Sequence, residues 1–140
     1  MIQVRSLTKK YGNKTVVDNV SLSLSKGKLT SLIGPNGAGK STVLSMVSRL
    51  MQPNEGVVLI EGKEIGEWDP KELAKKLAIL KQSNHINMRL TIRELVGFGR
   101  FPHSGGNLTR EDEEKIDEAL GYMQLKDLEH RYLDELSGGQ

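Results

Sequence analysis

Cysteine is absent from the 140 residues of this chain, which excludes a disulfide framework and any zinc site built on thiolates. Such a composition fits a reducing compartment. Charge of one sign is missing too: 20 Lys and Arg stand against 18 Asp and Glu, a net charge of +2. So near a balance, the chain offers no dedicated surface for nucleic acid or for an acidic membrane, and no nucleic-acid partner is expected. No apolar run approaches the ~18 residues that suggest a membrane span, and the opening MIQVRSLTKKYG has no continuous apolar stretch of a secretion signal. Any membrane role must come through a partner. His85, His103 and His130 lack a mutual ligand spacing, so no metal site is expected on them. Repeats and low-complexity segments are lacking as well. What is present is a length near the commonest size of one domain, enough to bury a core unaided.

The chain opens in β grammar. Ile2 to Leu7 reads as a strand, and Val20-Ser-Leu22-Ser-Leu24-Ser25 alternates with the period of a half-buried strand. Turn-like clusters follow each, at Tyr11 to Lys14 and at Lys26 to Lys28. A second unit begins with Leu29 to Ile33 as a short apolar strand, then a Gly-rich loop, then a helix patterned on Leu44, Val47 and Met51. Val57 to Ile60 and Leu77 to Leu80 predict two further strands. From Thr91 the pattern turns helical, with a core of Ile92, Leu95, Val96 and Phe98, and the loop Pro102 to Asn107 follows. The last helix starts at the capping box Thr109-Arg-Glu-Asp112, with Ile116, Ala119, Leu120 and Met123 on its apolar face.

Gly34-Pro-Asn-Gly-Ala-Gly-Lys40-Ser41 fits G-x-x-x-x-G-K-[ST], the P-loop or Walker A pattern, between a predicted strand and a predicted helix. Glycines at 34, 37 and 39 permit positive φ and let successive N–H groups approach phosphate oxygens. The helix starting near Lys40 adds its positive end. On this chemistry Lys40 reaches the β- and γ-phosphates of a bound ligand and the Ser41 hydroxyl ligates Mg²⁺. The pattern fixes a ligand class and is shared by many machines.

The far end narrows the choice. In Leu136-Ser-Gly-Gly-Gln140, Ser137 and two glycines offer a hydroxyl, bare amides and a dipole to an anion. This is the LSGGQ pentapeptide, and with the P-loop upstream the sequence resembles the ABC ATPase family over its whole length. The resemblance implies that residues Leu136, Ser137, Gly138, Gly139 and Gln140 bind the γ-phosphate held by an opposite protomer, in a head-to-tail dimer sandwiching two ATP molecules. It implies ATP contacts from Gly34, Pro35, Asn36, Gly37, Ala38, Gly39, Lys40, Ser41 and Thr42, with Tyr11 stacked on adenine. Gln82 matches the family's Q-loop glutamine, which contacts Mg²⁺ and the attacking water and links the site to the membrane partner.

The run Leu90-Thr-Ile-Arg-Glu-Leu-Val-Gly-Phe-Gly-Arg-Phe-Pro-His103 resembles the helical subdomain of importers for iron-siderophore, haem and cobalamin substrates. The implied function is an ATP-hydrolysing subunit coupled to import, with ferric siderophore as cargo. Its partners would be membrane permease subunits and, indirectly, an extracellular substrate-binding protein, and its place the cytoplasmic face of the membrane. The alternative is a soluble ABC-type ATPase acting on ribosomes or DNA, disfavoured because no sustained heptads or basic tract separate Ser41 from Ser137. A small-molecule P-loop kinase is a remote third.

The expected fold is α/β: a P-loop NTPase (RecA-like) core with an N-terminal antiparallel β subdomain and an α-helical subdomain, truncated after the signature motif. The expected division is 1–83 for the β subdomain and P-loop core and 84–140 for the Q-loop and helical subdomain. In the family a Walker B strand ending in Asp-Glu, an interface loop and a switch histidine follow the signature. The expectation is therefore that this segment by itself hydrolyses ATP near background and is poorly stable or part of a longer protein.

Overall fold

The structure, a computed structural model, describes residues 1–80 and 88–136. Strand β1 (Ile2–Tyr11) pairs with β2 (Lys14–Leu24) as a hairpin, and β3 (Glu55–Ile60) lies on the other side of β1 with β4 (Lys63–Glu64) outside it. The order β2-β1-β3-β4 is antiparallel throughout. Helix α1 (Lys40–Val47) comes between β2 and β3 in the chain. Helices α2 (Pro70–Ala74), α3 (Ile92–Phe98), α4 (Phe101–Ser104) and α5 (Arg110–Tyr122) follow. The chain divides into two compact units, Met1–Pro70 and Lys71–Gln140.

The first unit is built on the expected alternation. Val20, Leu22 and Leu24 turn inward while Ser21 and Ser23 are exposed, so the sheet buries one face and wets the other. The predicted strand at Val57 to Ile60 is the inner part of β3. The core gathers Val4, Leu7, Val17 and Val58 from the sheet with Val43, Met46 and Val47 from α1. Register slips along β1 are stitched by side chains: the Ser6 amide donates to Ser21 Oγ at 2.9 Å, and the Asn19 amide to Thr8 Oγ1 at 3.0 Å. Opposite the bulge, Gly56 has φ +85 and a Cβ there would stand 2.3 Å from the Ser6 carbonyl oxygen. Only glycine lets the two backbones approach so closely.

In the second unit α3 and α5 pack Ile92, Ile116 and Leu120 into a small core, flanked by Val96, Leu125, Leu128, Leu133 and Leu136. The capping box at Thr109 forms as its sequence predicts, with Thr109 Oγ1 accepting from the Asp112 amide and the Asp112 carboxylate accepting from the Thr109 amide. Thr91 and Glu94 form an equivalent box at the start of α3, the same Thr-x-x-acid pattern unnoticed in the sequence.

Several expectations are corrected. Leu29 to Ile33 is not a strand: Leu29 is 98% and Ile33 94% exposed. Leu77 to Leu80 is not one either, with Leu80 90% exposed. A strand needs a neighbour to take its ladder hydrogen bonds, and among the described residues no strand runs beside these segments. The apolar face of α1 is Val43, Met46 and Val47; Leu44 is 54% exposed, one helical step of about 100° away from Val43. Met51 lies beyond α1 and packs against the core from there. Pro102 to Ser104, expected in a loop, belong with Phe101 to the single turn α4, because Pro102 at the start of a helix gives up only an amide that has no intrahelical acceptor. Phe98 is exposed, and so is Met123, which ends α5 as its C-cap.

Candidate functional site

The loop before α1 takes the shape its glycines permit. Gly37 has φ +83 and Gly39 φ +84, both left-handed, whereas Gly34 does not, which corrects the expectation for all three. A Cβ on Gly34 would reach only ordinary contact with Ala38 Cβ at 3.4 Å. Gly39 is different. Buried, it packs on β2 so tightly that a Cβ would lie 2.7 Å from the Val16 carbonyl oxygen. The N-terminus of α1 is thereby fixed against the sheet.

Gly39 caps α1 without a side chain, and the first turn holds no acidic residue. The opening amides of a helix have no intrahelical acceptors, so Lys40, Ser41 and Thr42 present donors and a positive dipole end to any anion placed there. Ser41 is exposed and Thr42 half-buried, while Gly34, Pro35, Asn36, Gly37 and Ala38 are all exposed. The loop closes on itself through the Ala38 amide, which donates to the Pro35 carbonyl at 3.2 Å. Lys40 Nζ donates to the carbonyls of Gly34 and Pro35, each at 2.8 Å. The ammonium is thus folded over its own loop, on the side where the loop begins.

Tyr11 ends β1 paired with Lys14 and is 49% exposed. Its hydroxyl donates to Met51 Sδ at 3.1 Å, and Lys9 Nζ stands over the ring at 5.7 Å from its centroid. Gln82 lies outside the described residues, as do Ser137, Gly138, Gly139 and Gln140; of the signature, Leu136 is described and joins the second core. No cluster of three or more His, Cys, Asp or Glu that could hold a metal occurs among the described residues. Ser41 Oγ is one exposed hydroxyl, a donor set that suits Mg²⁺ carried by a nucleotide and completed by phosphate and water oxygens.

The second unit carries a cavity of about 680 Å³ lined by Leu90, Phe98, Phe101, Leu108, Glu94 and His130 among others. Beside it lies a charge cluster that sequence reasoning missed. Arg93 reaches Asp117 at 2.7 Å, Glu129 at 2.6 Å and Glu113 at 2.6 Å. Hydrogen bonds to Asp117, then Glu113 and Glu129, push the guanidinium well above its ordinary pKa. Asp112 is buried and accepts from Thr109 and from Arg100 Nε at 2.7 Å, which lowers its carboxyl to about 2. Glu113 and Asp117 are one turn apart, a spacing that sets both on one face of α5. That they share Arg93 depends on the packing of α3, which no local pattern encodes.

The described residues form no helix long and apolar enough to cross a membrane. Comparison with known proteins agrees with the motifs. Residues 17–140 match the ABC transporter family. The petrobactin import ATP-binding protein YclP of Bacillus subtilis (strain 168) is 58% identical over 140 residues, which cover 100% of this chain and 56% of the relative. The iron(3+)-hydroxamate import ATP-binding protein FhuC of the same organism is 43% identical over 132 residues, 93% of this chain and 49% of the relative. The chain spans about half the length of the curated relatives it matches. Among solved structures, a dimeric ATP-binding cassette in a post-hydrolysis state with ADP and Pi superposes with a TM-score of 0.80 at 30% identity, over 100% of this chain and 65% of the other. That superposition takes in this chain's antiparallel sheet, the glycine-shaped loop opening α1 and the helical unit. By motif, fold and kinship alike, this chain belongs to the ABC transporter family.

Proposed function

We propose that this chain is the ATP-binding part of an ABC importer, in which ATP binding and hydrolysis drive uptake of a ferric siderophore. The observation that carries the nucleotide reading is the loop from Gly34 to Ser41, with its two left-handed glycines, its uncapped helix start and the Lys40 ammonium turned over it. A triphosphate supplies the acceptors that these donors lack. Its oxygens replace the Gly34 and Pro35 carbonyls as partners of Lys40 Nζ, exchanging neutral acceptors for charged ones, so that an ion pair takes the place of an ion–dipole contact. Gly34 to Thr42 form the phosphate cradle and Tyr11 offers a ring to adenine, a stack worth about 1–3 kcal/mol. Mg²⁺ would be held by Ser41 and, on the family pattern, Gln82, and would neutralise phosphate charge.

In this reading the functional division is drawn at 1–83 for the β subdomain and P-loop core and 84–140 for the Q-loop and helical subdomain, while the two compact units of the structure divide after Pro70. Residues Leu136 to Gln140 seal the ATP held by a second copy in a head-to-tail dimer, and Gln82 positions the attacking water. The cavity beneath Phe98, Phe101 and Leu108 receives a membrane permease subunit, which places the protein peripherally at the cytoplasmic face, with an extracellular binding protein delivering cargo. The siderophore reading is supported by relatives named for petrobactin and iron(3+)-hydroxamate import.

The test is uptake. A strain lacking the gene should lose import of a labelled ferric siderophore, and the wild-type gene should restore it where a Lys40→Ala gene does not. Unimpaired uptake of every ferric siderophore tried would contradict the importer reading.

A further inference from the structure

We propose that Met51, with Lys9, is a positioning device that presents one face of the Tyr11 ring to the base of the nucleotide and ties that face to the helix carrying the phosphate cradle. The inference rests on Tyr11 as the adenine-stacking residue. Tyr11 stands at the end of a hairpin, half exposed, where an aromatic side chain has rotational freedom that a base would have to freeze out. Two contacts remove that freedom beforehand. The hydroxyl donates to Met51 Sδ at 3.1 Å, and the Lys9 ammonium takes one ring face at 5.7 Å from the centroid, leaving the opposite face for stacking.

Both anchors meet at one short segment, to which Met51 belongs and Lys9 is bonded. The Met51 amide donates to the Ser45 carbonyl of α1 at 3.1 Å, while Lys9 Nζ donates to the Gln52 carbonyl at 2.7 Å. Two residues on, the Asn54 amide donates to the Thr8 carbonyl at 2.9 Å and Asn54 Oδ1 accepts from the Lys10 amide at 2.8 Å. Residues 51–54 therefore sew the end of β1 to the far end of α1, the helix whose start is the phosphate cradle. Base platform and phosphate cradle share one rigid mount. A thioether is a weak acceptor, so the bond contributes ring orientation more than binding strength.

The test compares ATP with inorganic tripolyphosphate, which lacks a base, by calorimetry on the full chain with Mg²⁺. Met51→Leu keeps apolar volume but removes the sulfur, and Tyr11→Phe keeps the ring but removes the donor. Each should weaken ATP about two- to fivefold, near the low end of a net hydrogen bond, and leave tripolyphosphate unchanged. The double variant should be no weaker than either single one. ATP affinity unchanged in both single variants, or falling equally for both ligands, overturns the proposal. Tyr11→Ala separates the two layers: if it lowers ATP affinity selectively while Met51→Leu and Tyr11→Phe do nothing, the stacking reading survives and the positioning device does not. If Tyr11→Ala leaves ATP untouched, the stacking reading itself fails.

Discussion

Gly39 and Lys40 are adjacent in sequence and do different work. Gly39 makes room: at φ +84, with the Val16 carbonyl oxygen 2.7 Å from where a Cβ would be, any side chain must displace β2. Gly39→Ala should therefore cost at least about 1–2 kcal/mol from backbone conformation alone, seen as a lowered midpoint in denaturant unfolding; an unchanged midpoint would mean the loop can rebuild. Lys40 is expendable for the fold, since its partners are two loop carbonyls. At this scale the sequence was most legible. The phosphate-binding pattern names its residues because each glycine and the lysine answers a local steric or charge requirement. Only Gly34 departed, since nothing at its position demands a left-handed backbone.

Among the elements, those with closed local grammar formed as read. The hairpin followed its alternation and turn, and α5 followed its capping box. The box also makes α5 sensitive to acid. Asp112 titrates at about 2 in the fold against an ordinary 3.8, because its charged form accepts from Thr109 and Arg100. A depressed folded value means the stabilisation is complete above the ordinary value and vanishes as pH falls through the folded one. Between pH 3.8 and about 2 the wild type should thus lose stability that an Asp112→Asn variant has already lost; parallel pH profiles for the two would contradict this. Thr109→Ala should cost about 1 kcal/mol, as for other N-caps. Arg93→Met should weaken the helical unit by roughly 1–2 kcal/mol, less at high salt, because it leaves three carboxylates facing one another without their cation. What the sequence concealed at this scale was partnership: an arginine on α3 meeting acids on α5 and after it.

For the whole molecule, the departure from expectation lies in two segments read as strands that pair with nothing among the described residues. Leu29 to Ile33 and Leu77 to Leu80 have the apolar composition of buried strands, yet all but the half-buried Leu77 lie exposed, and both segments are unpaired among the described residues. Periodicity predicts which residues want burial and cannot supply the neighbour that buries them. The 140-residue chain should accordingly bind the hydrophobic dye ANS, and Leu29→Lys with Ile33→Lys should reduce that fluorescence; equal fluorescence in both would show that these side chains are covered.

The central claim is that the backbone amides opening α1, together with Lys40, grip a triphosphate. Titrating the full chain and its Lys40→Ala variant with Mg²⁺-ATP by calorimetry tests it most directly. The account predicts at least a roughly tenfold loss of affinity from removing one charge-assisted partner, with the unfolding midpoint unchanged. Equal affinity in the two proteins would contradict it.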